Sequence, residues 1–292
     1  MVSHHKLRHS VQFIWAFVTN AYLKGFTGGK IYTGSLKKLC VPGLNCYSCP
    51  GALGSCPIGA MQSVIGSIRY SFSMYVMGFV LLIGVVFGRF ICGWLCPFGL
   101  LQDLLYKIPI FKISVSKRVN SILKYLKYAI LIIFVLLLPF IFQDELGISD
   151  PYFCKYICPA GTLEGGVPLV IFNETLREGL GFLFGWKLAI LIIFLIVSVL
   201  IFRPFCRYVC PLGALYSLFN PISFYKLKVN LSKCTHCNIC TRSCKINIEV
   251  HKTPNNPECI RCQDCIEACP QKAISKELIK IQSKNRTEEH LA

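Results

Sequence analysis

The chain has 292 residues, of which 54% are hydrophobic and 15% charged, with a mean hydropathy of +0.54. That excludes an ordinary soluble domain and points to a membrane protein. The net charge of +17 would suit nucleic acid, but the basic residues flank apolar runs and form no single patch with interleaved aromatics. The charge therefore reads as a membrane-surface and acidic-partner feature, with no nucleic acid.

Taken in order, four apolar runs read as transmembrane helices. Residues 11–23 (V-Q-F-I-W-A-F-V-T-N-A-Y-L) are short for a bilayer core of about 30 Å, which asks for roughly 20 residues. Residues 70–88 form a second span between Arg69 and Arg89. Residues 128–142 form a third, bounded by Lys127 and Asp144, with Pro139 a source of a kink near its end. Residues 179–202 form the fourth, with Lys187 near one end, where its stem can reach the interface. A basic lead precedes the first run, and no small-residue cleavage site follows it, so no cleavable signal peptide is expected. The loop 89–127 is rich in Lys and Arg, whereas the loop 143–180 is acidic. The positive-inside rule then sets both termini in the cytoplasm, at the cytoplasmic (inner) membrane. The basic stretch 24–69, assigned outside, dissents.

Eighteen cysteines far exceed background, and the chain is too large and apolar for a secreted disulfide scaffold. One phrase recurs four times. Cys56, Cys96, Cys158 and Cys210 each precede proline, in tails that read C-P-I-G-A-M-Q, C-P-F-G-L-L-Q, C-P-A-G-T-L-E and C-P-L-G-A-L-Y. Three of them close a C-x3-C pair, with Cys92, Cys154 and Cys206. Residues four apart share a helix face, so each pair can present two thiolates to one centre. Proline then ends or redirects the helix, and the glycine permits a tight turn.

Two halves of two spans each point the same way and are related by an axis along the membrane normal. That axis brings Cys92, Cys96, Cys206 and Cys210 together at the inner face. At the outer face it brings Cys154 and Cys158 to Cys49 and Cys56, with Cys46 as an alternative ligand. Four thiolates suffice for a [4Fe–4S] or [2Fe–2S] centre. The bland alternative is small apolar cysteines at a packed interface. Cys40, Cys46, Cys49 and Cys56 exceed what one cluster uses. Cys46-x2-Cys49 also fits a redox dithiol or a disulfide, and spacing does not choose among them.

Beyond Pro221 the composition turns polar. Cys234, Cys237, Cys240 and Cys244 follow C-x2-C-x2-C-x3-C, and Cys259, Cys262, Cys265 and Cys269 repeat it before Pro270. This is the bacterial two-cluster ferredoxin run, whose fourth cysteine serves the other cluster. Cys234, Cys237, Cys240 and Cys269 are therefore read as one iron site, and Cys259, Cys262, Cys265 and Cys244 as the second. Zinc also uses C-x2-C pairs, but two complete runs favour clusters. Lys245 stands where proline usually follows the fourth cysteine. His4, His5 and His9 read as interfacial and not as haem ligands, and Gly28-Gly29 as a helix-end turn. Residues 276–292 form a charged tail.

The C-x3-C-P stretches at Cys92–Pro97 and Cys206–Pro211, with the double run ending at Pro270, resemble the membrane-bound polyferredoxins. Examples are the membrane ferredoxin subunit of periplasmic nitrate reductase systems, the accessory protein of copper-oxidase assembly and the nitrous-oxide reductase regulator. The resemblance implies electron transfer at or across the cytoplasmic membrane, often with quinol or a partner reductase. The Cys154–Pro159 pair and the Cys40–Cys56 group depart from the nitrate-system pattern.

The expectation is an α-helical membrane protein with four transmembrane helices in two parallel repeats and a C-terminal two-cluster ferredoxin-like α+β domain. Its segments are 1–67, 68–127, 128–225, 226–275 and 276–292. It would carry electrons between a cytoplasmic ferredoxin or flavodoxin-like carrier and a membrane or extracytoplasmic acceptor. A quinol dehydrogenase subunit and a thiol/disulfide reductant carrier are the alternatives.

Overall fold

The computed structural model describes residues 4–67, 73–145 and 147–278. Arg69, the first residues of the second expected span and most of the charged tail lie outside them. The described chain is mostly helical, with one two-stranded sheet.

Among the described residues, two helices are long and apolar enough to cross a membrane: Arg118–Ile141 and Phe182–Leu200. At 1.5 Å per residue they reach about 36 Å and 29 Å, against a hydrocarbon core of about 30 Å. Both turn large apolar side chains outward. Phe182, Ile193 and Ile196 on one, and Ile132, Phe140 and Ile141 on the other, are exposed. A helix in the core of a soluble protein would bury them, so this surface suits lipid.

The third expected span begins earlier than its hydropathy suggested, because its helix starts in the Lys- and Arg-rich stretch before residue 128. Lys127, read as a boundary, is instead fully buried. A π segment, Leu131–Leu137, runs directly into the turn that holds Pro139. Proline has no N–H to continue the α ladder, and a wider turn before it absorbs that loss.

The other two expected spans form shorter helices. Met74–Phe87 has 14 residues. The first helix runs His4–Thr19, offset toward the N-terminus from the expected 11–23. Its polar residues Arg8 and Gln12 are buried, so this helix packs by its polar face as well as its apolar one.

The rest of the apolar region is built from short helices that start at the repeated phrase. Pro57–Gly66, Pro97–Tyr106 and Pro211–Phe219 each begin on its proline, and Pro159 opens a fourth. The proline, read as ending or redirecting a helix, redirects it: the short helices before it stop at Trp94, Tyr156 and Tyr208, and the proline opens the next. In all four the cysteine is the extended N-cap and the proline is the first helical residue, where its missing N–H costs nothing. Cys92 and Cys96 therefore do not share one helix face. Cys92 ends up on the Phe90–Trp94 turn and Cys96 on the cap of the next helix.

The polar C-terminal unit closes on an antiparallel pair, Tyr225–Val229 with Ile274–Leu278, in the register Tyr225↔Leu278. Two short helices, Ile239–Arg242 and Asp264–Glu267, lie within it. In each cysteine run the residues flanking the second cysteine adopt left-handed backbone: His236 and Asn238 in one, Arg261 and Gln263 in the other. Such conformations are uncommon outside glycine, and their recurrence at matched positions marks one local fold used twice.

This unit is docked on the helical part through buried polar contacts. The Trp94 Nε1–H donates to the Arg261 carbonyl at 3.1 Å, and Arg261 donates to the Phe87 and Asn220 carbonyls and Ser223 Oγ. Asn220 donates to the carbonyls of Asn256 and Cys259. A Cβ at Gly93 would lie 2.3 Å from the Ile260 carbonyl oxygen, so only glycine admits this approach.

Candidate functional site

The cysteines of the helical part fall into two sets. At the first, Cys210 lies within electrostatic reach of Cys206, Cys92 and Cys96. All four are buried. Each cap cysteine receives backbone N–H groups. Gly213 N–H approaches the Cys210 sulfur at 3.3 Å, and the N–H groups of Leu44 and Gly99 face the Cys96 sulfur. These donors suit a thiolate better than a thiol.

Two arginines tie this set together reciprocally. Arg89, three residues before Cys92, donates to the Cys206 carbonyl at 3.1 Å. Arg203, three residues before Cys206, donates to the Cys92 carbonyl at 2.5 Å. Both are fully buried. Arg89 also meets Glu258 at 2.7 Å, where Lys127 makes two contacts of 2.6 Å. Arg203 is bidentate to Asp103, which Arg8 reaches at 3.0 Å. Burial alone would raise the Asp103 carboxyl, but Arg203 and then Arg8 hold it below the usual carboxylate range.

In the second set Cys158 lies within electrostatic reach of Cys154, Cys46 and Cys56. These four line one cavity of about 750 Å³, together with Lys37, Lys38 and Lys187. Cys49, expected as a ligand, is directed elsewhere. The Cys49 N–H bonds back to the Cys46 carbonyl at 3.0 Å, closing a turn, and its Sγ faces Asn20 Oδ1 at 3.5 Å. The turn reverses the chain between the two cysteines, so Cys46, the alternative to Cys49, is the one beside Cys56, Cys154 and Cys158. Cys40 lies by Cys56.

Burial pushes the Cys46 and Cys154 thiols up to about 12. Glu164, whose carboxylate accepts the Cys46 N–H at 2.7 Å, is itself pushed up to about 7 by burial. Buried thiols of this kind are neutral until a metal displaces their protons.

The two sets are near each other. The Tyr216 hydroxyl is within electrostatic reach of Cys92 and Cys96 and also of Cys40 and Cys56. It is fully buried and donates to the Pro42 carbonyl at 2.9 Å. A Cβ at Gly43 would sit 3.2 Å from Cys96 Cα. The loop expected outside thus reaches the cysteines expected inside.

In the C-terminal unit Cys234, Cys237, Cys240 and Cys269 surround one small cavity. Cys244 lies within electrostatic reach of Cys259 and Cys265. The grouping follows the crossed pattern of the two runs. Cys237 is exposed, whereas the Cys259–Cys262 stretch lies against Gly93 and Trp94, next to Cys92. Lys245, in place of proline, lies 3.7 Å from Asp264.

Among the described residues, no three His, Cys, Asp or Glu side chains converge on a point for a single metal ion. A cubane takes one thiolate on each iron, so its ligands spread around a core. Sets of four neighbouring thiols, most of them buried or partly buried, with N–H donors on several sulfurs, fit that chemistry.

Sequence reading missed the side chains that join the sets. Gln62 and Gln102 contact cysteine sulfurs of the other half, at 3.2 Å and 3.0 Å. They stand in the last column of the aligned tails (Q, Q, E, Y), with Glu164 and Tyr216, so the signal was on the page. Arg89 and Arg203 share the position three before the first cysteine of a pair.

The model of a 4Fe-4S binding domain matches residues 71–117, 127–167 and 183–231, which hold the three C-x3-C-P pairs. The uncharacterized protein MJ0750 of Methanocaldococcus jannaschii is 32% identical over 228 residues, 75% of this chain and 85% of that one. The ferredoxin-type protein NapH of Haemophilus influenzae is 25% identical over 210 residues, 67% of this chain and 64% of its own. The regulatory protein NosR of Stutzerimonas stutzeri is 26% identical over 184 residues, 60% of this chain and 22% of its own. No solved structure matches. The chain belongs to the membrane-bound polyferredoxin family, 4Fe-4S binding proteins of ferredoxin-type electron transport.

Proposed function

We propose that this protein carries electrons between a cytoplasmic donor and a membrane or extracytoplasmic acceptor through four cysteine-held centres. Cys234, Cys237, Cys240 and Cys269 hold the entry centre. Cys259, Cys262, Cys265 and Cys244 hold the next. Cys92, Cys96, Cys206 and Cys210 hold the third, and Cys46, Cys56, Cys154 and Cys158 the last. A [4Fe–4S] cluster, when bound, supplies one-electron redox chemistry. The chain supplies position, burial and hydrogen bonds that set potential.

The observation that carries this reading is the spatial order of the sets. The run with exposed Cys237 is accessible to a carrier. The Cys259 run is packed on Gly93 and Trp94, beside Cys92. Tyr216 then neighbours both remaining sets. Exposed Lys233, Arg242 and Lys272 near the entry run suit an acidic ferredoxin or flavodoxin-like partner, with salt-sensitive association.

The reciprocal Arg89 and Arg203 contacts support two parallel repeats, with Met74–Phe87 and the first helix completing four spans. Cytoplasmic termini then leave the C-terminal unit inside, at the inner membrane, and residues 226–275 act as the ferredoxin domain. Non-helical backbone at membrane depth is tolerated when buried in protein, and the cysteine turns meet that condition.

A quinol dehydrogenase is the second reading. The cavity of about 750 Å³ beside Cys46, Cys56, Cys154 and Cys158 favours it, because it is in the size range of small-molecule sites. The dithiol-carrier reading draws less support, since the turn sends Cys46 and Cys49 to different neighbours.

Cys96→Ser in membrane vesicles tests the proposal. Electron flux across the membrane should stop while the signals of the two C-terminal centres persist. Undiminished flux would overturn the third centre.

A further inference from the structure

Gln62 and Gln102 make the same set of contacts in two different places. The Gln102 Nε2 donates to the Cys206 sulfur at 3.0 Å and to the Phe98 carbonyl at 3.3 Å, and its Oε1 accepts the Phe205 N–H at 3.2 Å. The Gln62 Nε2 donates to the Cys154 sulfur at 3.2 Å and to the Ile58 carbonyl at 3.3 Å, and its Oε1 accepts the Phe153 N–H at 2.9 Å. Each glutamine stands six residues after its own cap cysteine and reaches the first cysteine of a pair in the other half. Both side chains are fully buried.

The amide orientation follows from these partners. A backbone N–H can only be met by the amide oxygen, so the NH2 group must face the carbonyl and the sulfur. One N–H of each glutamine is thus committed to a sulfur. The third tail carries Glu164, which accepts the Cys46 N–H and offers no donor in its charged form. The fourth carries Tyr216, which bonds the Pro42 carbonyl. Among the described residues each of the two sets accordingly receives a single side-chain amide donor, always from the first half of the chain.

We propose that Gln62 and Gln102 are positioning residues that set the reduction potentials of the two helical-region centres, each through one cysteine sulfur of the opposite half. This rests on the reading that those cysteines hold iron–sulfur clusters. An N–H donor to a ligating sulfur stabilises the more negative, reduced state and raises the potential. Gln102 acts on the centre of Cys92, Cys96, Cys206 and Cys210. Gln62 acts on that of Cys46, Cys56, Cys154 and Cys158. The shared bond to the residue before each cysteine holds the sulfur in place for this contact.

The test is a redox titration of the full chain, loaded with iron and sulfide and followed by electron paramagnetic resonance, with resonance Raman spectra of the iron–cysteine stretch. Gln102→Glu preserves size and the bond to Phe205 N–H, and Gln102→Met removes all hydrogen bonding. Both should lower the potential of one centre only and shift its stretching band. Gln62→Glu and Gln62→Met should do the same to the other centre only. Loaded centres with unmoved potentials and bands would overturn the inference. So would loss of the centre in both variants at a position, which would make the amide a brace for the cysteine turn and nothing more. An unmodified chain with no signal beyond its two C-terminal centres would instead remove the underlying reading.

Discussion

Glu258 is the point at which docking of the C-terminal unit can be tested. Its carboxylate meets Arg89 at 2.7 Å and Lys127 at 2.6 Å, while Arg89 and Lys127 are themselves fully buried and Glu258 is 14% exposed. Glu258→Gln keeps the shape and removes the charge. Arg89 retains the Pro257 and Cys206 carbonyls, but Lys127 keeps only a neutral amide oxygen and the Tyr128 ring at 5.2 Å, with no counter-charge in contact. Removing one partner of a buried ion pair costs about 3–5 kcal/mol, because the other charge stays behind without compensation. At 1.4 kcal/mol per tenfold, the docked fraction relative to the undocked falls by roughly a hundred- to a few thousand-fold. Hydrogen exchange is the assay. Backbone amides of the Phe90–Trp94 turn and of residues 257–261 should lose protection together, while Phe182–Leu200 keeps its own. Adding Arg89→Met and Lys127→Met to the variant should restore part of the protection, since no buried charge would remain unpaired. Unchanged protection in Glu258→Gln alone would refute the idea that this cluster fastens the unit.

Two further outcomes follow from the same geometry. Cys46→Ser should remove about a quarter of the iron, one cubane of four, whereas Cys49→Ser should leave the iron content unchanged; elemental analysis reads both. Asp103 has an unfolded value near 3.8 and a folded value below it. Its contribution is therefore complete above pH 3.8 and fades as pH falls through the folded value. Thermal unfolding in detergent should show that acid loss, and Asp103→Asn should flatten it.

Much of this protein could be read from its residues. The double C-x2-C-x2-C-x3-C run gave the expectation of a crossed grouping, and the structure puts Cys269 beside the first run and Cys244 by Cys259 and Cys265. The apolar runs 128–142 and 179–202 anticipated the two helices that can cross a membrane, whereas the run 70–88, longer than the first of these, supplies the shorter helix Met74–Phe87. The limits of such reading were local as well as global. Cys-Pro was taken to end or redirect a helix, and what spacing did not show is that the proline itself opens the next one, since the first helical residue needs no N–H. Hydropathy set a boundary at Lys127, which the helix ignores because Glu258, 131 residues away, neutralises the charge.

Cysteine spacing and residue type by themselves determined which thiols lie close along the chain and that apolar helices accompany them. Which thiols meet was decided only in three dimensions. Cys46 joins Cys56, Cys154 and Cys158 because a turn carries Cys49 away toward Asn20. The nearness of the two helical-region sets likewise depends on Tyr216 and the loop at Pro42. Spacing along a chain bounds distances only over a few residues. Beyond that, close packing of buried groups and the demand that each buried polar atom find a partner choose the neighbours.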